Sequence, residues 1–575
     1  PRLYPAQESE TALCYTTLCS FRYEHQWVVA GTKDGTMLVW RIPQWMTRHD
    51  SLTNIRAEMP SSPGQHLLAQ GSLEDVPLLL SDTVTSSSDD GGQPNKRMRS
   101  SFMWKLEELL DTFVSFRTVS ADSRYREHMW QAAKFLSLLM QDLGCEVKLA
   151  GEEDQAPVVM GKLAPSSSKE PTILIYGHYD VQPADPDEWE TDPFVVTGRD
   201  GWYFGRGVSD NKGPILAVLM AVQELLIESS SVGNSNSHSS SSFSATEREI
   251  KHPGFVFLFE GEEEHGSVGF QGVVAKERAF IGNVDVCLCT NSYWFGEDHP
   301  CITYGMRGVM EMDIVVKGMD RNLHAGIDGG IVAEPLNDLL AVTSSLVDSS
   351  NMVLVPGFYE NVRAVSDRET ALMLRIDVNL EEYMKSVGMS STHAGIKNNM
   401  DFLCKRWCEP TLSISAVASS NAANAYRLIP RTATARVTIT YVPDQDTQQL
   451  QELLRRHVAH EFSKRHSPNK ITVRFPFVGD WWLSDPDGPI YGAASKAVKD
   501  VWGIAPMSVR EGGSMPNMRF LQNALDLPAT ALIVIPLGQS SDAAHLPNER
   551  IRGHNLRQGI RVLRRFFKNL CETKS

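Results

Sequence analysis

Metal-assisted hydrolysis needs imidazole and carboxylate ligands around a cation, and one further carboxylate to take a proton from water. Five short segments of this chain offer such side chains: YGHYDVQPA with His178 and Asp180, GRGVSDNKGP with Asp210, EGEEEHGS with Glu263 and Glu264, CTNSYW with Asn291, and SSDAAHLPNE with His545. A metal lowers the pKa of a bound water to about 7, and a neighbouring carboxylate can then remove its proton. Each segment alone has a plainer explanation. His-x-Asp could be a solvated loop pair, Asp210 could cap the helix opening at Lys212-Gly213-Pro214, Glu262-Glu263-Glu264 could be a hydrated acidic loop, and His545 could be structural. Their shared surroundings argue for chemistry. Each follows or adjoins an apolar run and is flanked by small residues, where an α/β sheet carries its active site.

The elements that must position these residues are legible as alternating patterns. His178 and Asp180 follow the apolar run Ile173–Tyr176, and strand alternation puts residues two apart on one side. Helical spacing starts at Ser101 and runs through WQAAKFLSLLMQDLG to Gly144, a natural stop. The strand TILIYGHYDV, the helix KGPILAVLMAVQELLIE, the strand GFVFLFE and a helix after Gly266 then alternate, which predicts a mostly parallel sheet with helices on its faces. Residues 229–246 read as a serine-rich surface loop. After Trp294 the style changes: amphipathic strands over 309–316, 411–418 and 433–442 mix with helices near 331–348 and 444–464, an α+β unit of its own. The α/β style resumes near Gly479 with a helix over 490–502, the strand ALIVIPLG and a C-terminal helix. The second unit is therefore inserted into the first, with His545 lying beyond it.

A chain of 575 residues with a formal charge of −15 holds several domains, and its charge disfavours nucleic acid or an anionic membrane as the main partner. No apolar run approaches the ~20 residues of a membrane span. The nine cysteines (14, 19, 145, 287, 289, 301, 404, 408 and 571) show no zinc-finger spacing and suit reduced thiols in the cytoplasm. Cys404 and Cys408 share a helical face and are expected to pack. At the N-terminal end, WVVAGTKDGTMLVWRI (27–42) has two β-rich runs joined at Asp34-Gly35, a hairpin turn signature. It resembles the closing part of a WD-repeat blade, and its companion blades are expected upstream in a longer chain. Residues 81–100 are a polar linker.

Taken in order, Gly-His-x-Asp-Val-Gln-Pro (177–183), Gly-Arg-Gly-x-x-Asp-x-Lys-Gly-Pro (205–214), Glu-Glu-x-Gly-Ser (263–267), Arg510-Glu511-Gly512-Gly513-Ser514-x-Pro516 and the His545 loop form a specific set. Over roughly 101–575 the chain resembles the di-zinc metallopeptidase family of carnosinases, cytosolic dipeptidases, acetylornithine deacetylase and glutamate carboxypeptidases. The resemblance implies an α/β catalytic domain, in parts 101–304 and 479–575, with an inserted lid and dimerisation domain over 305–478. Residues 1–45 would be the end of a WD-repeat propeller and 46–100 a linker. Two zinc ions are implied: Asp210 would bridge them, His178 and Asn291 would complete one set, and Glu264 and His545 the other. Asp180 would orient His178, and Glu263 would deprotonate a water shared by the metals. His324, in the lid segment Asn322-Leu323-His324-Ala325-Gly326, would steady the oxyanion in a partner subunit of a homodimer.

Two positions depart from the family pattern. Asn291 stands where relatives supply an aspartate, so its metal would be held with one charge less. Thr440 stands where dipeptidase relatives carry a substrate-binding arginine, and Arg427 and Arg431 are the candidates to replace it. The WD-like segment and Asn-Ser-x-Trp narrow the resemblance to the fungal glutathione-degrading branch, whose peptidase works with a glutamine-amidotransferase-like subunit. Expected substrates are di- and tripeptides such as Cys-Gly or glutathione. The rival readings are a weakly catalytic scaffold that activates the amidotransferase-like partner, and an amino-acid deacylase.

Overall fold

The structure, a computed structural model, describes residues 104–573 apart from 153–154, 233–250, 392–394 and 422–425, together with three strands nearer the N-terminus. Two compact units separate, Pro1–Gly92 and Gln93–Ser575. In the first, strands Tyr15–Ser20, Trp27–Thr32 and Met37–Arg41 pair antiparallel in chain order. The expected hairpin runs are thus paired. The Asp34-Gly35 turn and the linker 46–100 lie outside the described residues.

The second unit is built on a nine-stranded sheet. At its centre four neighbouring strands run parallel in the order Leu532–Val534, Val286–Cys289, Thr172–His178 and Gly254–Glu260. The expected parallel sheet is therefore parallel where it carries the polar segments. Its flanks are partly antiparallel: a hairpin of Glu146–Ala150 and Val158–Leu163 on one side, and Cys301–Met306 on the other. Both faces are covered, and the alternation of side chains sorts them. Ile173, Ile175, Phe255, Phe257 and Phe259 pack into helices Leu106–Ser115, Arg126–Asp142, Lys212–Val232, Pro489–Trp502 and Gly553–Thr573. Leu174, Tyr176, Val256 and Leu258 face Phe270–Lys276 and Pro516–Ala524.

Three expectations change. The helical run from Ser101 to Gly144 is broken into two helices by residues 116–122. Thr118 Oγ1 there donates to the carbonyl of Tyr179 at 2.7 Å, and the Thr118 carbonyl accepts from Val181 N–H at 2.8 Å. A tertiary partner for the backbone has replaced the helix. The strand TILIYGHYDV stops at His178, so Asp180 lies in the loop beyond it. Finally, Lys212–Ser230 is by length and composition apolar enough for a membrane span, contrary to the reading from the sequence, but 72% of that window is buried inside the fold. Its buried Lys212 Nζ donates to the carbonyls of Phe113 and Phe116 at 2.9 and 2.7 Å, capping the helix Leu106–Ser115.

The inserted segment forms a four-stranded antiparallel sheet in the order Thr411–Ser419, Thr432–Tyr441, Gly308–Lys317 and Lys470–Gly479. Helices Pro335–Thr343 and Thr447–Ser463 cover one face through Leu339, Val342, Leu450 and Leu454. Helices Asp367–Met373 and Asn399–Trp407, which the sequence pattern did not reveal, pack Met373, Leu403 and Trp407 against Val509 and Trp294 of the α/β part.

Gly213 sits where the helix Lys212–Val232 leaves the Asp210 turn, and a Cβ there would lie 2.1 Å from the Val208 carbonyl oxygen. Backbone cannot yield as a flexible side chain can. Gly213→Ala is therefore expected to cost about 3 kcal/mol of stability, measured by urea denaturation, as an overpacked site does.

Candidate metal centre

The central sheet brings the polar segments together because the carboxyl ends of its four parallel strands lie side by side. His178 ends one strand, Glu263 and Glu264 form a 3-10 turn just after the next, Asn291 follows the third, and His545 lies in the loop beyond the fourth. Asp210 comes from the turn preceding the helix Lys212–Val232. It does not serve as a simple cap, because both its oxygens face imidazoles.

Asp210 Oδ1 lies 3.0 Å from His178 Nε2, and Oδ2 lies 3.1 Å from His545 Nε2. His545 Nε2 is also 3.2 Å from Glu264 Oε2. Asn291 Nδ2 stands 2.9 Å from His178 Nε2. Each oxygen of one carboxylate thus faces a separate set: His178 with Asn291, and His545 with Glu264. His178, Asp210 and Glu264 place ligand atoms within 4.8 Å of one another. Ligands about 2.0–2.1 Å from a tetrahedral cation stand roughly 3.3 Å apart, so these separations fit a bound metal ion.

The hydrogen-bond arithmetic around His178 also suits a cation. Its Nε2 faces both Asp210 Oδ1 and the Asn291 amide nitrogen. Neither tautomer serves both, since one nitrogen cannot donate and accept at once. Turning the amide over, a choice that rests on partners alone, brings the Asn291 oxygen alongside the other donors. Three lone pairs then converge, as a metal requires.

Asp180 takes the expected orienting position. Its Oδ1 lies 3.3 Å from His178 Nδ1, and its oxygens accept the N–H groups of Glu263 and Glu264 at 3.2 and 2.9 Å. Ser120 Oγ donates to it at 2.8 Å. The three adjacent glutamates are relieved by separation. Glu262 accepts from Ala156 N–H at 3.0 Å, Glu264 turns to His545 and Gln182, and Glu263 remains beside the cluster. Burial, with Asp210, Glu264 and Asp180 adding to it and His178 opposing, pushes the Glu263 carboxyl up to about 7. A carboxyl held there suits proton exchange near neutrality.

Burial works against a charged His178, but Glu263, Asp180 and Asp210 outweigh it and hold its pKa well above the usual range. Asp210 and Glu264 raise His545 to about 10. Asp210 is itself held well below the carboxylate range: burial opposes this, and the two histidines prevail.

Some expected residues stand apart. His324 is exposed on the inserted unit, and its Nδ1 accepts from Gly326 N–H at 3.1 Å. No hydrogen bond or ion pair among the described residues joins it to the Asp210 cluster. Thr440 pairs with Val309 and Thr411 within the four-stranded sheet. Arg431 Nη1 is engaged by the Asp320 carbonyl at 3.2 Å, and Arg427 is an exposed residue with φ 58. Cys287, Cys289, Cys301, Cys404 and Cys408 are free thiols, and Cys408 packs in the core, 3.4 Å from Arg510 Nη1.

Sequence reasoning missed Ser120 and Gln182 as partners of the site. Gln182 Nε2 donates to Glu264 Oε2 at 2.9 Å, and its place in the His-x-Asp-Val-Gln-Pro motif was the available signal. Ser120 comes from the break between two helices and had none.

The profile of Peptidase family M20/M25/M40 matches residues 174–233 and 242–569, which carry every ligand of this arrangement. The chain belongs to this family. It is 33% identical over 493 residues to the Cys-Gly metallodipeptidase DUG1 of Saccharomyces cerevisiae, covering 82% of this chain and 97% of that protein. It is 31% identical over 484 residues to the human Beta-Ala-His dipeptidase, covering 81% and 90%. Similarity to the probable di- and tripeptidase DUG2 of S. cerevisiae, at 29% identity, extends over 94% of this chain and 56% of that protein. The solved structure of yeast Dug1p superposes with a TM-score of 0.70 at 31% identity, covering 81% of this chain and 96% of that one. This M20 peptidase is thus a metallopeptidase, and its chemistry is metal-dependent peptide hydrolysis.

Metal entry into this M20 site must displace protons, since a coordinating imidazole is neutral and His178 and His545 are both held protonated without a metal. Affinity for a divalent cation is therefore expected to rise with pH below about 10, with proton release on binding. Calorimetry in buffers of different ionisation enthalpy reads that release directly. Equal heats in all buffers would refute it.

Proposed function

We propose that the chain is a zinc-dependent peptidase of small di- or tripeptides in glutathione breakdown, with Cys-Gly as the first substrate to test. The observation that carries the reading is the Asp210 carboxylate set between His178 with Asn291 on one side and His545 with Glu264 on the other. These five residues would hold two zinc ions, which when bound acidify water and polarise the scissile carbonyl. Asp180 keeps the His178 ring turned toward the site. Glu263, half-buried and raised to about 7, accepts the proton of the attacking water and returns it to the leaving amine. His324 would contribute from the inserted lid of a second copy to the oxyanion. A homodimer through this lid is supported by the open edge strand Thr411–Ser419 and by Ile331 and Tyr426, 78% and 83% exposed beside the His324 segment. Reduced cysteines favour the cytoplasm.

A second reading rests on Asn291. An amide in place of a carboxylate weakens one of the two sets by a full charge, and Thr440 offers no cation for a substrate carboxylate. Both favour a scaffold that docks and activates a glutamine-amidotransferase-like subunit. The similarity to DUG2 along most of the chain and the N-terminal strands, read as the end of a WD-repeat propeller, are consistent with that branch.

Glu263→Gln is expected to abolish Cys-Gly hydrolysis, by about three orders of magnitude or more, with zinc content unchanged. Retained turnover would exclude this base. Asn291→Asp should tighten the weaker zinc and raise stoichiometry toward two per chain. If the native chain holds less than one zinc and hydrolyses neither Cys-Gly nor glutathione without the amidotransferase-like subunit, the scaffold reading stands.

A further inference from the structure

Glu549 has no part in the roles assigned so far, yet it is fully buried beside the Asp210 turn. Its Oε2 accepts from Arg206 Nη1 and from Gly207 N–H, each at 2.9 Å. Its Oε1 accepts from Ser209 N–H and from the N–H of Asp210 itself, each at 3.0 Å. The Glu549 carbonyl takes a further bond from Gly205 N–H at 3.0 Å. Every acceptor position of the carboxylate is thereby filled, which is what allows a charged group to stay out of water.

From these contacts we infer that Glu549 is a positioning residue of the metal centre: it fixes Asp210 relative to His545. The inference rests on Asp210 being the shared ligand. Residues 205–210 have no strand or helix to hold them, so their N–H groups need acceptors from elsewhere. Glu549, which comes from the loop that presents His545, supplies the acceptors for Gly205, Gly207, Ser209 and Asp210, while Arg206 N–H bonds the Pro193 carbonyl. That loop itself adopts a backbone conformation that side chains disfavour, with Ala543, His545 and Asn548 at φ 56, 63 and 61. Asp542, in the same loop, accepts from Ser209 Oγ at 2.6 Å and adds a second tie to the turn. The spacing between Asp210 Oδ2 and His545 Nε2, 3.1 Å, is thus set through Glu549 and Asp542.

Glutamine at 549 keeps the size but not the function. Its oxygen can still accept from one pair of N–H donors, while its NH2 group would be turned against the other pair. The test compares zinc affinity, by competition with a chromogenic chelator, at a temperature where circular dichroism shows each protein folded. Glu549→Gln is expected to bind zinc about ten- to a hundredfold more weakly, the usual effect of losing a group that orients a ligand. Glu549→Asp, which keeps the charge but shortens the reach, should also weaken binding, and it serves if the glutamine variant does not fold. Asp338→Asn removes a comparably buried acceptor in the inserted unit, bonded to Arg465, Ser467 and Asn469, and should lower stability without moving zinc affinity. A folded Glu549 variant with zinc affinity within about twofold of the native chain overturns the inference, since ligand orientation normally shifts it further. A native chain that binds no zinc overturns the reading of Asp210 together with it.

Discussion

The carboxylate of Asp210, shared between two sets of ligands, is the constraint on which the rest depends. Asp180, Glu263 and Glu264 crowd around it, and His178 and His545 bring compensating charge. Like charges at such distances inside a protein are tolerated only when cations or a full set of hydrogen bonds answer them. Here both devices are used. Imidazoles and the expected metal answer Asp210, while Asp180 is quieted by Ser120 and by two backbone N–H groups.

That constraint explains the architecture around it. Four parallel strands end at one edge of the sheet, so loops hundreds of residues apart in sequence meet within a few ångströms. Strands buried on both faces hold those ends rigidly, with Phe255, Phe257 and Phe259 on one side and Val256 and Leu258 on the other. The inserted sheet leaves the catalytic one at Arg307, where the chain passes from Cys301–Met306 to Gly308–Lys317. Arg307 bonds the carbonyls of Gly512 and Glu409 at 2.9 and 3.1 Å, tying the root of the insertion to the Arg510–Pro516 motif.

Asn291 is the proposed ligand position that breaks the charge pattern. Its side chain stands where the pattern requires, against His178 Nε2, so the site keeps its shape while losing a charge. Shape is set by the strand that delivers the residue, and charge by the residue alone. This separation is why membership of a hydrolytic family and the strength of one metal site are different questions for this chain.

Much of the fold and most of the candidate site were legible in the sequence. Apolar runs announced the strands that carry His178 and Glu263, a glycine-rich motif marked the turn of Asp210, and the strand ALIVIPLG announced the polar loop of His545. Less legible were features whose cause lies elsewhere in the chain. Residues 116–122 look helical until Tyr179 and Val181 claim their backbone groups, and Glu549 looks like any loop glutamate until the N–H groups of 205–210 close around it. Residue type and spacing by themselves determined the chemistry on offer, because ligand identity and strand periodicity are local properties. Only the tertiary structure decided which oxygen of Asp210 faces which histidine and what holds it there, because those depend on hydrogen bonds between segments that sequence order keeps far apart.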